Sequence, residues 1–384
     1  MDFELSDAQK DIRDTVRKFA EKEIKPLAHE LDEKEQFSPE LTRKMGALGI
    51  FGIIVPEQYG GQGLDYGSYV IAVEELARVD GSQAATIAAG VSLGIAPILY
   101  FGTDEQKSKY LPKLAAGEAL FAFGLTEPEA GSDSRGSRTK AVQGADGSWT
   151  IDGAKIFITN GSTDMTAGII VQAVTGKDDK GNPEFTCFIV EKGTPGFSAK
   201  TMHKKLMWRA SNTAELYFAG VKVPDSARLG PRGAGSKQML KTLDSGRLSI
   251  GAMGLGCAQG AYELALSYSK QRKQFGKPLA AFQATAFKLA DMATEIEHAR
   301  WFLYRACWLR DQHKPFGTES AMAKLYCSEV AQRVANEAVQ IHGGYGLMKE
   351  FDVERFYRDQ RLLQIGEGTS EIQRLVISRA LIGA

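Results

Sequence analysis

Between Gln340 and Arg374 the chain reads QIHGGYGLMKEFDVERFYRDQRLLQIGEGTSEIQR, in which a Gly-Gly-x-Gly turn precedes one isolated carboxylate, Glu367. Glu367 sits between Gly366 and Gly368 and is followed by Thr369 and Ser370. Glycines let backbone amides approach a ligand closely and adopt positive φ. Thr369 or Ser370 can cap the apolar helix predicted to follow (Ile372, Leu375, Val376) and leave its first amides aimed at an anion. Glu367 then stands at the rim of that helix start, free to accept a proton. The plain alternative is a capped C-terminal helix carrying a solvated glutamate.

Four other motifs carry chemistry-bearing residues. FGLTEPEAGSD, residues 123–133, follows a predicted strand and is dense in small and capping residues that can present amides and hydroxyls. FITNG, residues 157–161, ends a second predicted strand in Asn-Gly, which is also an ordinary hairpin signal. DSGR, from Asp244 to Arg247, reads as the opening of a helix with Asp244 as its cap. Arg247 has the reach to fix a polar ligand by charge-assisted hydrogen bonds. RKQFGKPLAAFQ, from Arg272 to Gln283, reads as the end of a long helix, where a cation complements the helix dipole and can bind phosphate. A solvated basic helix end accounts for it equally well. The five histidines show no metal-ligand spacing and the four cysteines no CxxC pair, so no metal site and no disulfide framework are expected. Cys257 and Cys307 read as buried thiols and His342 as a packing residue.

The elements that must hold these residues fall into three blocks. Up to about residue 120 the periodicity is helical, as in VRKFAEKEI and YVIAVEELARV, beginning with a helix capped at Ser6. From 121 to 230 short alternating or β-branched runs such as AGIIVQAVT and FTCFIVE read as strands. From 231 to 384 long helical segments return. Helices, strands, then helices predict an α+β protein: an N-terminal helical domain (1–120), a middle β-sheet domain (121–230) and a C-terminal helical bundle domain (231–384). Lys plus Arg and Asp plus Glu both number 47, and this zero net charge argues against broad attraction to nucleic acid or an anionic membrane. The N-terminus has no apolar h-region and no run of about eighteen apolar residues is apparent, so no membrane span and a cytoplasmic location are expected.

In order and spacing, LTEPEAGSD, FITNG, DSGR, RKQFGKP, QIHGG and GEGTSEIQR resemble the acyl-CoA dehydrogenase family almost from end to end. The resemblance implies a C-terminal four-helix bundle and FAD as cofactor. It lays the flavin ring and ribityl chain along Phe123, Leu125, Thr126, Gly131 and Ser132, with Ser132 also near the acyl-CoA. Phe157, Ile158 and Thr159 line the other side of the ring, Thr159 close to the reactive N5. Arg272, Gln274, Phe275 and Gln283, with Gln340, Gly343 and Gly344, contact the FAD of a neighbouring subunit, which implies a homotetramer. Thr369 and Glu371 complete the cofactor set, and Asp244, Arg247, Gly368 and Arg379 join Ser132 on the substrate. Phe157 stands where family members often carry Trp, and Gln274 where Thr is more frequent. One branch of the family carries its catalytic carboxylate just before the Arg of DSGR; here that position is Gly246, which leaves Glu367 as the matching base.

The activity so implied is α,β-dehydrogenation of an acyl-CoA thioester: Glu367 takes the α-proton while a hydride leaves Cβ for flavin N5. The Glu367 amide and a ribityl hydroxyl support the thioester oxygen, and an electron-transferring flavoprotein is the implied acceptor. Enoyl-CoA reduction in reverse and an acyl-CoA oxidase share most of these motifs; oxygen consumption without an added acceptor marks the oxidase. A nitroalkane oxidase relative is expected to place Asp at 367, and a DNA-associated relative to carry a basic extension, which a chain ending at Ala384 is expected to lack. Gly366 replaces the Tyr common in straight-chain members, and Gly94 and Ala96 add small residues in GVSLGIAPILYFG, with Trp208 as possible compensating bulk. Short, branched or cyclic acyl groups are therefore expected.

Overall fold

Ser6 opens the first helix through a reciprocal capping box with Gln9, each side chain accepting from the other's amide. The computed structural model describes residues 4–383; Met1, Asp2, Phe3 and Ala384, the ends of the two outer blocks, lie outside the described residues. Seven helices follow in order: α1 (Asp7–Phe19), α2 (Lys25–Glu33), α3 (Pro39–Ala47), α4 (Tyr66–Ala77), α5 (Gly81–Ala89), α6 (Ala96–Phe101) and α7 (Asp104–Ala115). Asp65 and Asp80 cap α4 and α5, both of which are buried almost throughout.

A π-helical turn at Gly90–Ile95 joins α5 to α6, with Pro97 in the tolerated first turn of α6. The resulting continuous helix, Gly81–Phe101, is long and apolar enough by length and composition to cross a membrane, although polar residues such as Ser82, Gln83, Thr86 and Ser92 interrupt it. Most of it is buried inside the protein, as befits a core helix. Its small residues answer to that packing. A Cβ on Gly94 would stand 2.6 Å from the Phe121 carbonyl oxygen, and one on Gly90 2.7 Å from the Phe51 ring. Gly94 therefore lets helix and strand approach; it does not widen a ligand pocket.

Seven strands form the middle sheet: β1 (Leu120–Gly124), β2 (Lys140–Gln143), β3 (Trp149–Thr159), β4 (Thr166–Lys177), β5 (Pro183–Glu191), β6 (Phe197–Thr201) and β7 (Thr213–Val223). The order is β1-β4-β2-β3-β7-β6 with β5 on β4. β1 runs parallel to β4, while β3 and β7 pair antiparallel over most of their length. Trp149 and Phe188 centre a second core beneath this sheet.

The last block begins with α8 (Gly235–Gln271), a hairpin of β8 (Lys273–Gln274) and β9 (Lys277–Pro278), then α9 (Gln283–Asp311), α10 (Gly317–His342), α11 (Val353–Asp359) and α12 (Ser370–Ile382). Glycines allow the long helices to touch. A Cβ on Gly254 would stand 2.8 Å from the Cys327 carbonyl oxygen on α10, and one on Gly256 2.2 Å from that of Glu74 on α4. Cys187, Cys257, Cys307 and Cys327 are all buried and unpaired. α8 starts at Gly235 without a side-chain cap, so Asp244–Arg247 lies in its third and fourth turns. The expectation that DSGR opens the helix is corrected: a good capping residue here lies within the helix, ten residues past its N-cap Ala234. Helical, β and helical blocks in this order are the α+β architecture that the sequence predicts.

Candidate functional site

Two loops of the middle sheet come together first. The Ile156 amide donates to the Thr126 carbonyl at 2.9 Å, setting LTEPEAGSD beside the end of β3. Beneath them Lys155, fully enclosed, donates to a Glu127 carboxylate oxygen at 2.7 Å and to the Leu125 carbonyl at 3.0 Å. Glu127 also accepts from the amides of Arg138 and Thr139, and these contacts hold its carboxyl below the usual range against the opposing effect of burial. This buried pair clamps the two loops, and sequence reasoning missed it. A lysine in an alternating strand and a glutamate in a turn read as solvated charges.

Above the clamp the sheet offers an open face. Phe157 has φ +61° and remains 63% exposed, while its neighbour Ile158 is buried. Leu125, Thr126 and Thr159 are partly exposed, Gly131 and Ser132 exposed, and Phe123 is buried on β1. Asn160 anchors the end of this wall by donating to the Thr86 carbonyl on α5 at 3.1 Å. Two residues further along α5, the Ala88 carbonyl accepts from the Tyr69 hydroxyl, and Tyr69 lies within the electrostatic reach of Glu367. The same helix therefore supports both the β3 wall and the surroundings of Glu367.

Glu367 belongs to the turn before α12. It has φ +51° and Gly368 φ +95°, and Thr369 caps the helix by accepting from the Ile372 amide. Gln373, wholly buried, donates to the carbonyls of Glu367 (3.3 Å) and Gly368 (2.9 Å), and the Lys324 ammonium from α10 donates to the Gly368 carbonyl at 2.7 Å. Lys324 lies in no motif, and Gln373, although inside GEGTSEIQR, has no role in the sequence reading. The carboxylate reaches α8 at Gly246, and on the next residue Arg247 pairs with Asp244 at 2.8 Å. Burial drives the Glu367 carboxyl up to about 7, with the charges of Lys324 and Arg247 acting against it. Glu367 as a residue is partly exposed, yet its Oε2 is enclosed without a hydrogen-bond partner. Arg247 Nε, Ser370 Oγ and Gln373 Oε1 are buried and unpartnered in the same neighbourhood. Buried polar atoms are ordinarily satisfied, so this group reads as one half of a binding site.

The remaining predicted residues lie apart from this centre. Arg272 follows the last residue of α8, Gln274 and Phe275 belong to the β8–β9 hairpin, and Gln283 starts α9; all are exposed, Phe275 to 93%. Gln340, Gly343 and Gly344 are exposed at the end of α10, where the Arg272 guanidinium stacks on the Tyr345 ring and joins the two motifs. His342 stacks on Tyr268 with ring centroids 4.2 Å apart and bonds the Ala338 carbonyl, the packing role expected of it. Glu371 is exposed in the first turn of α12. Arg379 is exposed nine residues into α12, about 14 Å along its axis from Ser370, and is not brought to Glu367. Trp208 lines a separate small cavity with Gly81, Met253, Cys257 and Phe356, away from the base.

Known proteins supply the comparison. Sequence profiles of the acyl-CoA dehydrogenase N-terminal, middle and C-terminal domains match residues 6–118, 122–221 and 233–382. The chain is 50% identical over 382 residues to a probable acyl-CoA dehydrogenase, YngJ, of Bacillus subtilis (strain 168), covering 100% of both. Its fold superposes on butyryl-CoA dehydrogenase from Megasphaera elsdenii with a TM-score of 0.96, at 47% identity and full coverage of both chains. A structure described as the electron transferring flavoprotein of Acidaminococcus fermentans matches equally well in fold (TM-score 0.96, 44% identity, full coverage of both). With all three domain profiles in register and half of its residues identical to a full-length relative, the chain belongs to the acyl-CoA dehydrogenase family of FAD-dependent oxidoreductases.

Proposed function

We propose that the chain dehydrogenates short or compact acyl-CoA thioesters with Glu367 as the base that removes the α-proton. The observation that carries this reading is the enclosed Glu367 carboxyl, unpartnered at Oε2 and raised to about 7 by burial. A carboxylate so situated is a better base than a solvated one and titrates near the working pH. The α-proton of a thioester is weakly acidic, so the developing oxyanion needs a fixed donor, and the amide of Glu367 in its constrained turn is offered for that role. The Asp244–Arg247 pair and Ser132 are proposed to bind the polar part of the CoA ester, and Gly368 to border the acyl group.

The residues present fit FAD. Phe157 and Phe275 are large rings left facing solvent, and backbone at Gly131, Gly343 and Gly344 is unobstructed, with nothing within 4 Å of where a Cβ would stand. Phe123, Leu125, Thr126, Ile158 and Thr159 would border the isoalloxazine. Thr369 and Glu371 at the start of α12, and Arg272, Gln274, Phe275, Gln283 and Gln340 of a neighbouring copy, would hold the remainder. FAD supplies a hydride acceptor when bound. A second copy is proposed to cover the exposed apolar residues Phe287, Leu347, Leu381 and Ile382 in a homotetramer. An electron-transferring flavoprotein is proposed as the acceptor, and the three domains are proposed to divide at 120 and 230.

Short acyl groups are favoured by the butyryl-CoA relative, and Gly366, where a Cβ would meet Leu362 only at ordinary contact distance, extends the proposal to branched or cyclic groups. Anaerobic titration of the purified flavoprotein with butyryl-, isobutyryl-, cyclohexanecarbonyl- and palmitoyl-CoA tests the reading. Rapid bleaching by the compact substrates is expected; bleaching by palmitoyl-CoA alone, or by none, would refute it.

A further inference from the structure

Lys324 projects from the middle of the bundle, fully enclosed on α10. An ammonium has three donors, and the hydrogen bond Lys324 makes is to the Gly368 carbonyl at 2.7 Å. That carbonyl also accepts from Gln373 at 2.9 Å. The peptide immediately after the base is thus held from two helices, α10 and α12. Such restraint is needed, because Glu367 keeps φ +51°, where a residue with a side chain persists only if its surroundings hold it. Lys324 forms no close ion pair among the described residues, although an enclosed ammonium is costly without an answering charge. Its charge is answered by Glu367, with a smaller contribution from Glu371.

We propose that Lys324 is a positioning residue for proton abstraction: it locks the Glu367–Gly368 turn through the Gly368 carbonyl, and its charge keeps the enclosed carboxylate available in the ionised form. The inference rests on Glu367 being the base. The groups facing that carboxylate are Lys324 on α10, Arg247 (paired with Asp244) on α8 and Tyr69 on α4, with Glu371 on α12 acting on Lys324. Burial raises Glu367 and pushes Lys324 down to about 8; each charge opposes the other's shift. Tyr69 stays neutral, its hydroxyl pushed up by burial, so the two cations are the groups that favour ionised Glu367.

The test is the pH profile of kcat/KM for butyryl-CoA, measured on FAD-loaded wild type, Lys324→Met, Lys324→Gln, Lys324→Arg and Glu367→Gln. The ascending limb of Lys324→Met is expected to move up by about one unit, the effect of losing one nearby opposite charge. Lys324→Arg, which retains the charge, is expected to keep the limb close to wild type. Should Lys324→Met fail to retain FAD, Lys324→Gln, which restores a donor without charge, carries the same expectation. A wild-type limb in both neutral variants would overturn the proposal while leaving the base in place. Full turnover by Glu367→Gln would instead overturn the base, and the Lys324 proposal with it.

Discussion

Gly246 and Glu367 compete for one space: a Cβ at 246 would lie 2.1 Å from Oε2 of the Glu367 carboxylate. The glycine on α8 is what allows the carboxylate from the turn before α12 to enter. Gly246→Ala must displace Oε2, and displacement by about 1 Å of a reacting group costs roughly 100-fold in rate. Turnover with butyryl-CoA is expected to fall by that order while FAD content stays near wild type; unchanged turnover would show that the carboxylate does not work from this location.

The raised Glu367 carboxyl has a cost in stability with a definite sign. Its folded value of about 7 lies above the ordinary 4.5, so the fold prefers the protonated form and loses stability as pH rises between those values. Glu367→Gln is therefore expected to be more stable than wild type above pH 7, by roughly 3 kcal/mol at 1.36 kcal/mol per unit. That advantage should vanish once both states are protonated, below about 4.5. Thermal denaturation of the two proteins across pH measures it; a destabilised variant at high pH would contradict the burial argument.

Activity should show the corresponding limb. Glu367 accepts a proton only when ionised, so kcat/KM should rise with pH and reach half its plateau near 7. A flat profile through neutrality would place the essential ionisation elsewhere.

Lys155→Met removes one partner of the buried clamp and leaves Glu127 uncompensated, a loss of about 3–5 kcal/mol for pairs of this kind. Because Lys155 also fixes the Leu125 carbonyl, FAD retention on gel filtration should fall with thermal stability. Retained flavin would show that the loops are held without the clamp.

The legible and illegible parts of this chain divide on physical lines. The three-block order was readable because hydrophobic periodicity changes from about 3.6 to 2 and back at Leu120 and near Gly235. Glu367 and the Thr369 cap were readable because flanking glycines and a hydroxyl mark a turn-to-helix junction. The start of α8 was not, since Ala234 offers no cap and Asp244 looks like one ten residues later. Lys155, Lys324 and Gln373 were missed because a charge or amide in a regular element reads as solvent-facing unless the tertiary partner is known. Gly94 was misread for the same reason: its need is the Phe121 backbone across the interface, which is not local in sequence.

Gly366 has no positive φ, and the nearest atoms a Cβ there would meet belong to Leu362, at 3.6 Å, an ordinary contact. Gly366→Tyr should thus be tolerated by the turn while filling space beside the base. Bulky branched or cyclic substrates are expected to lose about 1–3 kcal/mol in specificity relative to butyryl-CoA. An equal effect on both classes would remove Gly366 as a determinant of acyl size.

The most direct measurement of the central claim is single-turnover flavin reduction by butyryl-CoA in Glu367→Gln. The variant keeps the side-chain volume, so it should retain FAD and bind the substrate. Its rate of reduction should fall by roughly 10²–10⁴-fold, the usual contribution of a general base. Reduction at the wild-type rate would contradict the assignment of Glu367 as the group that takes the α-proton.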